Sequence, residues 1–290
     1  MVTNKMAKYN RVTIIGVGLI GGSIGLALKK RHLAKEVIGV FRRASTLKRA
    51  LKRKTIDKGT LSVAEGVKAA DIIVIATPVS FIPKMAAEAA GHAKKGAIIT
   101  DAGSTKKWIV AKTEKATAKR KTLFVGAHPM AGSEHAGVEF ATAGLLEGSP
   151  CIVTKTGRTD KLALNKIINF WQALGAKVSV MSPAAHDRSI ALISHLPHLA
   201  AFSLAAAVPV KDIAYAAEGF KDTTRVASSD PELWADIFLS NKKEVLRSGR
   251  MFEKRLRELS IALARGNRSQ VVKFLGSAKS KRDKFTQPLL

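Results

Sequence analysis

From residue 11 onward, short β-branched runs alternate with longer stretches of helical spacing. Residues 11–15, 37–41, 71–78, 97–101, 124–128, 151–154 and 177–181 read as strands. The run Asp71-Ile-Ile-Val-Ile-Ala-Thr-Pro78 is apolar without alternation, the mark of a strand covered on both faces. Between the strands, helical spacing is expected from the glycine-rich stretch after residue 15 to about Arg31, then over 46–54, 81–93, 107–118 and 160–174. Strands and helices alternating over this length predict an α/β fold with a doubly wound, Rossmann-type parallel sheet.

After Met181-Ser-Pro183 the strand pattern stops. Residues 184–208 read as one long apolar helix, in which Pro197 removes a backbone donor and should introduce a kink. Residues 219–230 are polar, a loop or short helix. Asp230-Pro231 is a helix start, an N-cap followed by proline at the first position. It opens a helix expected to run to about Arg265, with another over 269–284. The expectation is therefore a dinucleotide-binding domain over 1–181 and an all-helical substrate and dimerisation domain over 182–290. Long apolar faces on such a domain associate, so a homodimer through this half is expected.

Composition changes this picture in one respect. With 46% apolar residues the chain is globular, and 290 residues suffice for two domains. The single cysteine, Cys151, lies in an apolar run and reads as a small buried hydrophobe. No apolar leader occupies the first residues and no uninterrupted ~20-residue apolar span occurs, so a cytoplasmic protein without membrane partners is expected. The unusual quantity is charge: 49 Lys and Arg against 22 Asp and Glu, a net +27. Such a surface attracts polyanions non-specifically. Aromatics are not interleaved with the basic runs as base-stacking platforms would be, so dedicated nucleic-acid binding is not expected. A basic non-enzymatic polyanion-binding protein is the rival that rests on charge alone.

The chemistry begins at Gly16-Val-Gly18-Leu19-Ile20-Gly21, a G-x-G-x-x-G that follows a strand and opens a helix. Gly16 permits the turn, Gly18 admits a pyrophosphate close to the backbone and Gly21 lets helix and strand pack. An acid binding the ribose 2′-hydroxyl of NAD is expected roughly 20 residues on. Here the chain reads Phe41-Arg42-Arg43-Ala44-Ser45. No carboxylate stands there to repel a 2′-phosphate, and two guanidiniums with a serine can hold one, which favours NADP while leaving NAD possible. Thr77, Pro78, Asp101 and Ser104 fall at strand C-terminal ends, where ligands of such sheets collect. So does His128, the candidate base. Ser194, His195 and His198 are polar residues on an otherwise apolar helix, and burying them without partners is costly. No third ligand accompanies the two histidines nearby, so no metal site is expected.

Taken together, the glycine turn, Asp101-Ala-Gly-Ser104-Thr-Lys106, His128-Pro-Met-Ala-Gly-Ser-Glu134, Ser194-His-Leu-Pro-His198 and Gly219-Phe-Lys-Asp222-Thr-Thr-Arg225 with Asp230-Pro-Glu-Leu-Trp234 resemble the prephenate/arogenate dehydrogenase family. The resemblance spans about residues 8–259. It implies NAD(P)-dependent oxidative decarboxylation of a cyclohexadiene in tyrosine biosynthesis, giving 4-hydroxyphenylpyruvate from prephenate or tyrosine from arogenate. Both substrates remain open. By that resemblance His128 is the catalytic base and Ser104 hydrogen-bonds near the reacting hydroxyl and nicotinamide. Arg225 holds a substrate carboxylate, and His195, His198 and Ser194 position the ring. Glu134 and Asp222 order the pocket, and Trp234 covers it. The chain is expected to lack an appended regulatory domain. A β-hydroxyacid or imine-reducing dehydrogenase is the enzymatic rival, but such enzymes commonly place a lysine where this chain has Ser194, His195 and His198.

Overall fold

The computed structural model describes residues 8–118, 120, 122–132 and 136–286. Strands β1 (Tyr9–Ile15), β2 (Ala34–Val40), β3 (Lys58–Thr60), β4 (Ile72–Ile75), β5 (Ile98–Asp101) and β6 (Leu123–Val125) form one sheet in the order β3-β2-β1-β4-β5-β6. Every pairing in it is parallel. Crossovers are made by α1 (Leu19–Lys30), α2 (Ala44–Lys52), α3 (Val63–Val67), α4 (Ile82–His92) and α5 (Lys107–Thr117). This is the strand order of a dinucleotide-binding sheet, with its direction reversing between β1 and β4.

Burial on both faces explains the unbroken apolar strands. Val12, Ile14, Ile72, Val74 and Ile98 join the core on one side with Ile24 and Leu28 of α1. Ile15, Ile73, Ile75 and Ile99 join the core on the other with Ile82, Ala86 and Ala89 of α4. Adjacent residues of one strand thus serve opposite cores, as the pleat requires.

The chain then leaves the first sheet. The expected single strand into His128 is two: β6 ends at Val125, and β7 (Ala127–Pro129) begins a second sheet after Gly126. A side chain at 126 would meet the Thr154 hydroxyl at 2.7 Å, while the Gly126 carbonyl accepts the Thr154 N–H at 2.8 Å. β7 pairs antiparallel with β8 (Pro150–Thr154), and β8 pairs parallel with β9 (Lys177–Met181). Helix α6 (Lys161–Ala173), capped by Asp160, buries Ile167, Phe170 and Trp171 in the first core.

Ser182 caps α7 (Pro183–Ile190), its hydroxyl accepting the Ala185 N–H at 3.2 Å. At the proline the expected long helix changes pitch. Residues Ala191–His195 form a π-helical turn, with the Leu196 N–H bonded to the Ala191 carbonyl, and α8 (Leu196–Ala207) follows. The wider turn falls just before Pro197, which has no backbone donor to give to the ladder. The run Pro183–Ala207 has a mean hydropathy of 1.6 and is 22% buried over its most apolar window, long and apolar enough to cross a membrane by length and composition. Its His186, Asp187, Ser194, His195 and His198 are, however, engaged in or behind the site described below.

Helix α9 (Glu218–Thr224) and a 3₁₀ turn precede α10 (Pro231–Ser240), whose N–H groups at 232 and 233 are capped by Asp230. The expected continuous helix from 231 breaks at Asn241, and α11 (Lys242–Ala264) follows. The described chain forms two compact units, divided between Lys242 and Lys243. In the second, α11 ends in a left-handed Gly266, with Asn267 N–H bonded to Ala262 and Gly266 N–H to Leu263. This Schellman closure turns the chain into α12 (Arg268–Thr286).

Candidate active site

The site starts at the turn after β1. Gly16 has φ +91°, and a side chain there would lie 2.7 Å from the Ala76 carbonyl. At Gly21 it would lie 2.2 Å from the Gly16 carbonyl, so α1 sits directly on the turn. Gly18 differs: nothing stands within 4 Å of where its side chain would be. An open backbone at the first turn of a helix is what a pyrophosphate needs, and the residues therefore fit a dinucleotide.

Two strands along from β1, at the same C-terminal edge of the sheet, the β5–α5 corner is held by a fully buried ion pair between Lys106 and Asp101. The Asp101 carboxylate also accepts the N–H groups of Gly103 at 3.0 Å and Ala127 at 3.1 Å. It thereby joins β5, the Ser104 loop and the start of β7, and it carries His128 into place. His128 is 7% exposed. Burial, then the charges of His186, Lys106 and His195, hold its pKa well below the usual histidine range.

Helical residues complete the wall. His198 donates from Nδ1 to the Ser194 carbonyl at 2.9 Å and lies flat on Trp234, with ring centroids 3.5 Å apart at 21°. Burial, aided by the charge of Arg225, lowers the His198 pKa against the pull of that carbonyl, so its ring is neutral. His195 is buried. Its Nδ1 is 3.3 Å from the Asn241 amide nitrogen, and its Nε2 has no partner among the described residues. Burial brings its pKa down to about 4.

One cleft of about 590 Å³ gathers these groups. The glycine turn contributes Gly18, Leu19 and Ile20, the end of β4 contributes Thr77 and Pro78, and Ser104 and His128 form the floor. Ser194, His198, Arg225 and Trp234 line the helical side. Gly16 and Gly21 shape the turn behind it. Seven other expected residues among those described do not line it. Phe41 lies on the same side of its strand as Val37 and is buried in the core, so its side chain is directed away from the cofactor loop by the pleat. Asp101 is consumed by Lys106, His195 by Asn241, and Asp222 is exposed on α9. Arg42, Arg43 and Ser45 are exposed on the loop and first turn after β2. Glu134 lies outside the described residues. Sequence reasoning passed over His186 and Asp187, which touch the site from behind. They were two polar residues at the start of an apolar helix, and nothing in the sequence tied them to His128.

Comparison with known proteins agrees with this geometry. The family profile "Prephenate dehydrogenase, nucleotide-binding domain" matches residues 24–180, and "Prephenate dehydrogenase, dimerization domain" matches 182–277. The chain belongs to the prephenate dehydrogenase family. As a member it is a nicotinamide-dependent dehydrogenase. It is 36% identical to the prephenate dehydrogenase of Bacillus subtilis, over 94% of this chain and 75% of that one. The Aquifex aeolicus prephenate dehydrogenase, solved with hydroxyphenyl propionate and NAD+, is 34% identical with a TM-score of 0.89, over 95% of this chain and 98% of that one. The Synechocystis arogenate dehydrogenase is 29% identical with a TM-score of 0.81, over 95% and 100%.

Proposed function

We propose that this chain catalyses the oxidative decarboxylation of prephenate or arogenate, with His128 as the base. The observation that carries the reading is a buried, neutral imidazole lining the same cleft as the open Gly18 backbone and the Arg225 guanidinium. The nicotinamide, when bound, accepts the hydride from C4 of the ring. His128 takes the proton of the C4 hydroxyl as that hydride departs, which a neutral imidazole can do at ordinary pH. Ser104, on the cleft floor, orients the hydroxyl. Arg225 takes a substrate carboxylate in its planar fork, and His198, stacked on Trp234, presents a bare Nε2 to the ring's substituents. Loss of the ring carboxylate as CO2 sends its electron pair into the ring, which becomes aromatic, and His128 can return its proton to the phenolic oxygen. By the family resemblance Asp222 and Glu134 are read as ordering the pocket and His195 as supporting the histidine wall.

The cofactor reading within this proposal is NADP. What supports it is that Arg42, Arg43 and Ser45 are exposed just after β2, free to meet a 2′-phosphate, and that position 41 offers an inward-facing phenyl ring instead of a repelling carboxylate. The functional division is proposed at 181/182, and the active form is proposed to be a homodimer through the helical part. The test is reduced-nicotinamide absorbance with prephenate and arogenate, each paired with NAD and NADP. One substrate should turn over, with the higher kcat/KM on NADP; a clear NAD preference would refute the cofactor reading. His128→Asn should lower kcat by about 10² to 10⁴ with cofactor KM little changed, and near-full turnover would exclude the base.

A further inference from the structure

His128 is the outer member of a buried chain of three side chains. Its Nδ1 lies 2.9 Å from His186 Nε2, and His186 Nδ1 lies 2.8 Å from Asp187 Oδ1. His186 and Asp187 are both almost completely buried. Asp187 is gripped from its other side by the start of α5. The Lys106 N–H donates to its Oδ1 at 2.7 Å and the Lys107 N–H to its Oδ2 at 2.9 Å. The residue at the N-cap of α5 is a lysine, with no side-chain oxygen to serve those donors. Asp187 on α7 caps that helix from outside and faces the positive end of its dipole.

The proton positions follow from this arrangement. Burial pushes the Asp187 pKa up, but the bonds from His186, Lys106 and Lys107 outweigh it and bring the pKa below the usual value. Asp187 is therefore an acceptor only, and His186 must carry its hydrogen on Nδ1. Burial, against the pull of Asp187, lowers the His186 pKa, so that ring is neutral and its Nε2 is a bare acceptor. Among the described residues, the group placed to donate to it is His128 Nδ1–H. His128 is itself neutral, so its Nε2 is left with a lone pair.

Other groups around His128 do not compete for its Nδ1. The Lys106 ammonium is tied to Asp101. The Cys151 thiol, which receives the His128 backbone N–H, is pushed up to about 12 by burial and stays protonated. His195 has its own partner in Asn241. A free histidine in water favours the opposite tautomer, with the hydrogen on Nε2. That form would aim a proton, not a lone pair, at a substrate hydroxyl.

We propose that His186 and Asp187 are positioning residues that lock His128 in its Nδ1–H tautomer, so that Nε2 is permanently set to accept the substrate's proton. The chain also turns a negative charge toward the imidazolium formed in the reaction, with His186 as the polarised spacer. The inference rests on the reading of His128 as the base.

Two measurements test it. Selectively ¹⁵N-labelled histidine NMR on the whole protein at pH 7.5 reads the tautomer directly, with the His128 signals assigned by their loss in His128→Asn. The expected wild-type spectrum shows His128 protonated on Nδ1 and bare on Nε2; hydrogen on Nε2 instead would overturn the proposal. In turnover, His186→Leu should lose about 10- to 100-fold in kcat, with both KM values near wild type, and His128 should shift toward the Nε2–H form. His186→Gln, whose amide oxygen can accept from His128 while its nitrogen donates toward Asp187, should recover most of the loss. Full kcat in His186→Leu, or no difference between the leucine and glutamine variants, refutes positioning. Should His186→Leu fail to fold, the wild-type spectrum still decides. A protein inactive on both substrates but showing Nδ1–H would refute the proposed function and leave the tautomer lock standing.

Discussion

Arg225 brings a delocalised, permanently charged fork to a cleft whose histidines are neutral. A carboxylate entering that cleft finds its charge partner there, and in bidentate geometry such a contact is stronger than a neutral hydrogen bond. Arg225→Gln keeps a donor but removes the charge and the second parallel bond. The loss of a charge-assisted bond, about 1.5–3 kcal/mol, should raise the substrate KM about 10- to 100-fold and change kcat much less. Initial rates at saturating cofactor measure this, and an unchanged KM would assign the arginine elsewhere. At this scale the sequence was informative wherever a residue's position along a strand settles its exposure. Gly18, just after β1, and His128, just after β6, are such residues, and each lines the cleft. His128, however, sits within a short strand of the second sheet and not at the end of the first. It was uninformative where side-chain direction decides. Phe41 follows the pleat inward, and Asp101 turns from the cleft to a lysine five residues on. His186 could not be singled out at all, because its partner lies 58 positions away in the chain.

Among the elements, the β5–α5 corner carries the most concentrated electrostatics. Lys106 and Asp101 are both fully buried, and the pair joins a strand end, the Ser104 loop and the strand that bears His128. Lys106→Ala would leave a buried carboxylate with, among the described residues, two main-chain donors. Breaking such a pair from one side costs about 3–5 kcal/mol, which urea unfolding should register as a lowered midpoint with an unchanged slope. Combining it with Asp101→Asn, which removes the stranded charge, should restore part of the loss; a single-variant cost below about 1 kcal/mol would mean the corner is held by something else. Element boundaries failed to show in the sequence where tertiary partners set them. β6 and β7 separate at Gly126 because Thr154 approaches there. The helix from Pro231 breaks at Asn241, whose side-chain amide donates to the Asp187 carbonyl at 2.9 Å. Pro197, by contrast, was legible as a disturbance, and the π turn falls just before it.

For the molecule as a whole, charge and apolar surface make opposing demands. On α11 the residues Phe252, Leu256, Leu259 and Leu263 recur at intervals of four, three and four, and three of them are exposed within their own unit. In the first unit Ile193, Val210, Ile213 and Tyr215 are also exposed. Apolar stripes of this spacing are what helices bury against partners, and exposed apolar surface on this scale marks an association site. Yet each chain carries +27, and two such bodies repel over roughly the Debye length, about 10 Å at 0.1 M salt. Association must therefore be driven by apolar burial and opposed by charge, which gives the proposed dimer a signature unlike that of an ion-paired one. Added sodium chloride should tighten it. Light scattering over a dilution series should give twice the 31.0 kDa chain mass, with dissociation on dilution appearing first at low salt. Leu256→Asp should shift the equilibrium toward the single chain at every salt concentration. A monomer throughout the series would refute the dimer, and a dimer that loosens as salt rises would show that charge pairs, not the apolar stripe, hold it.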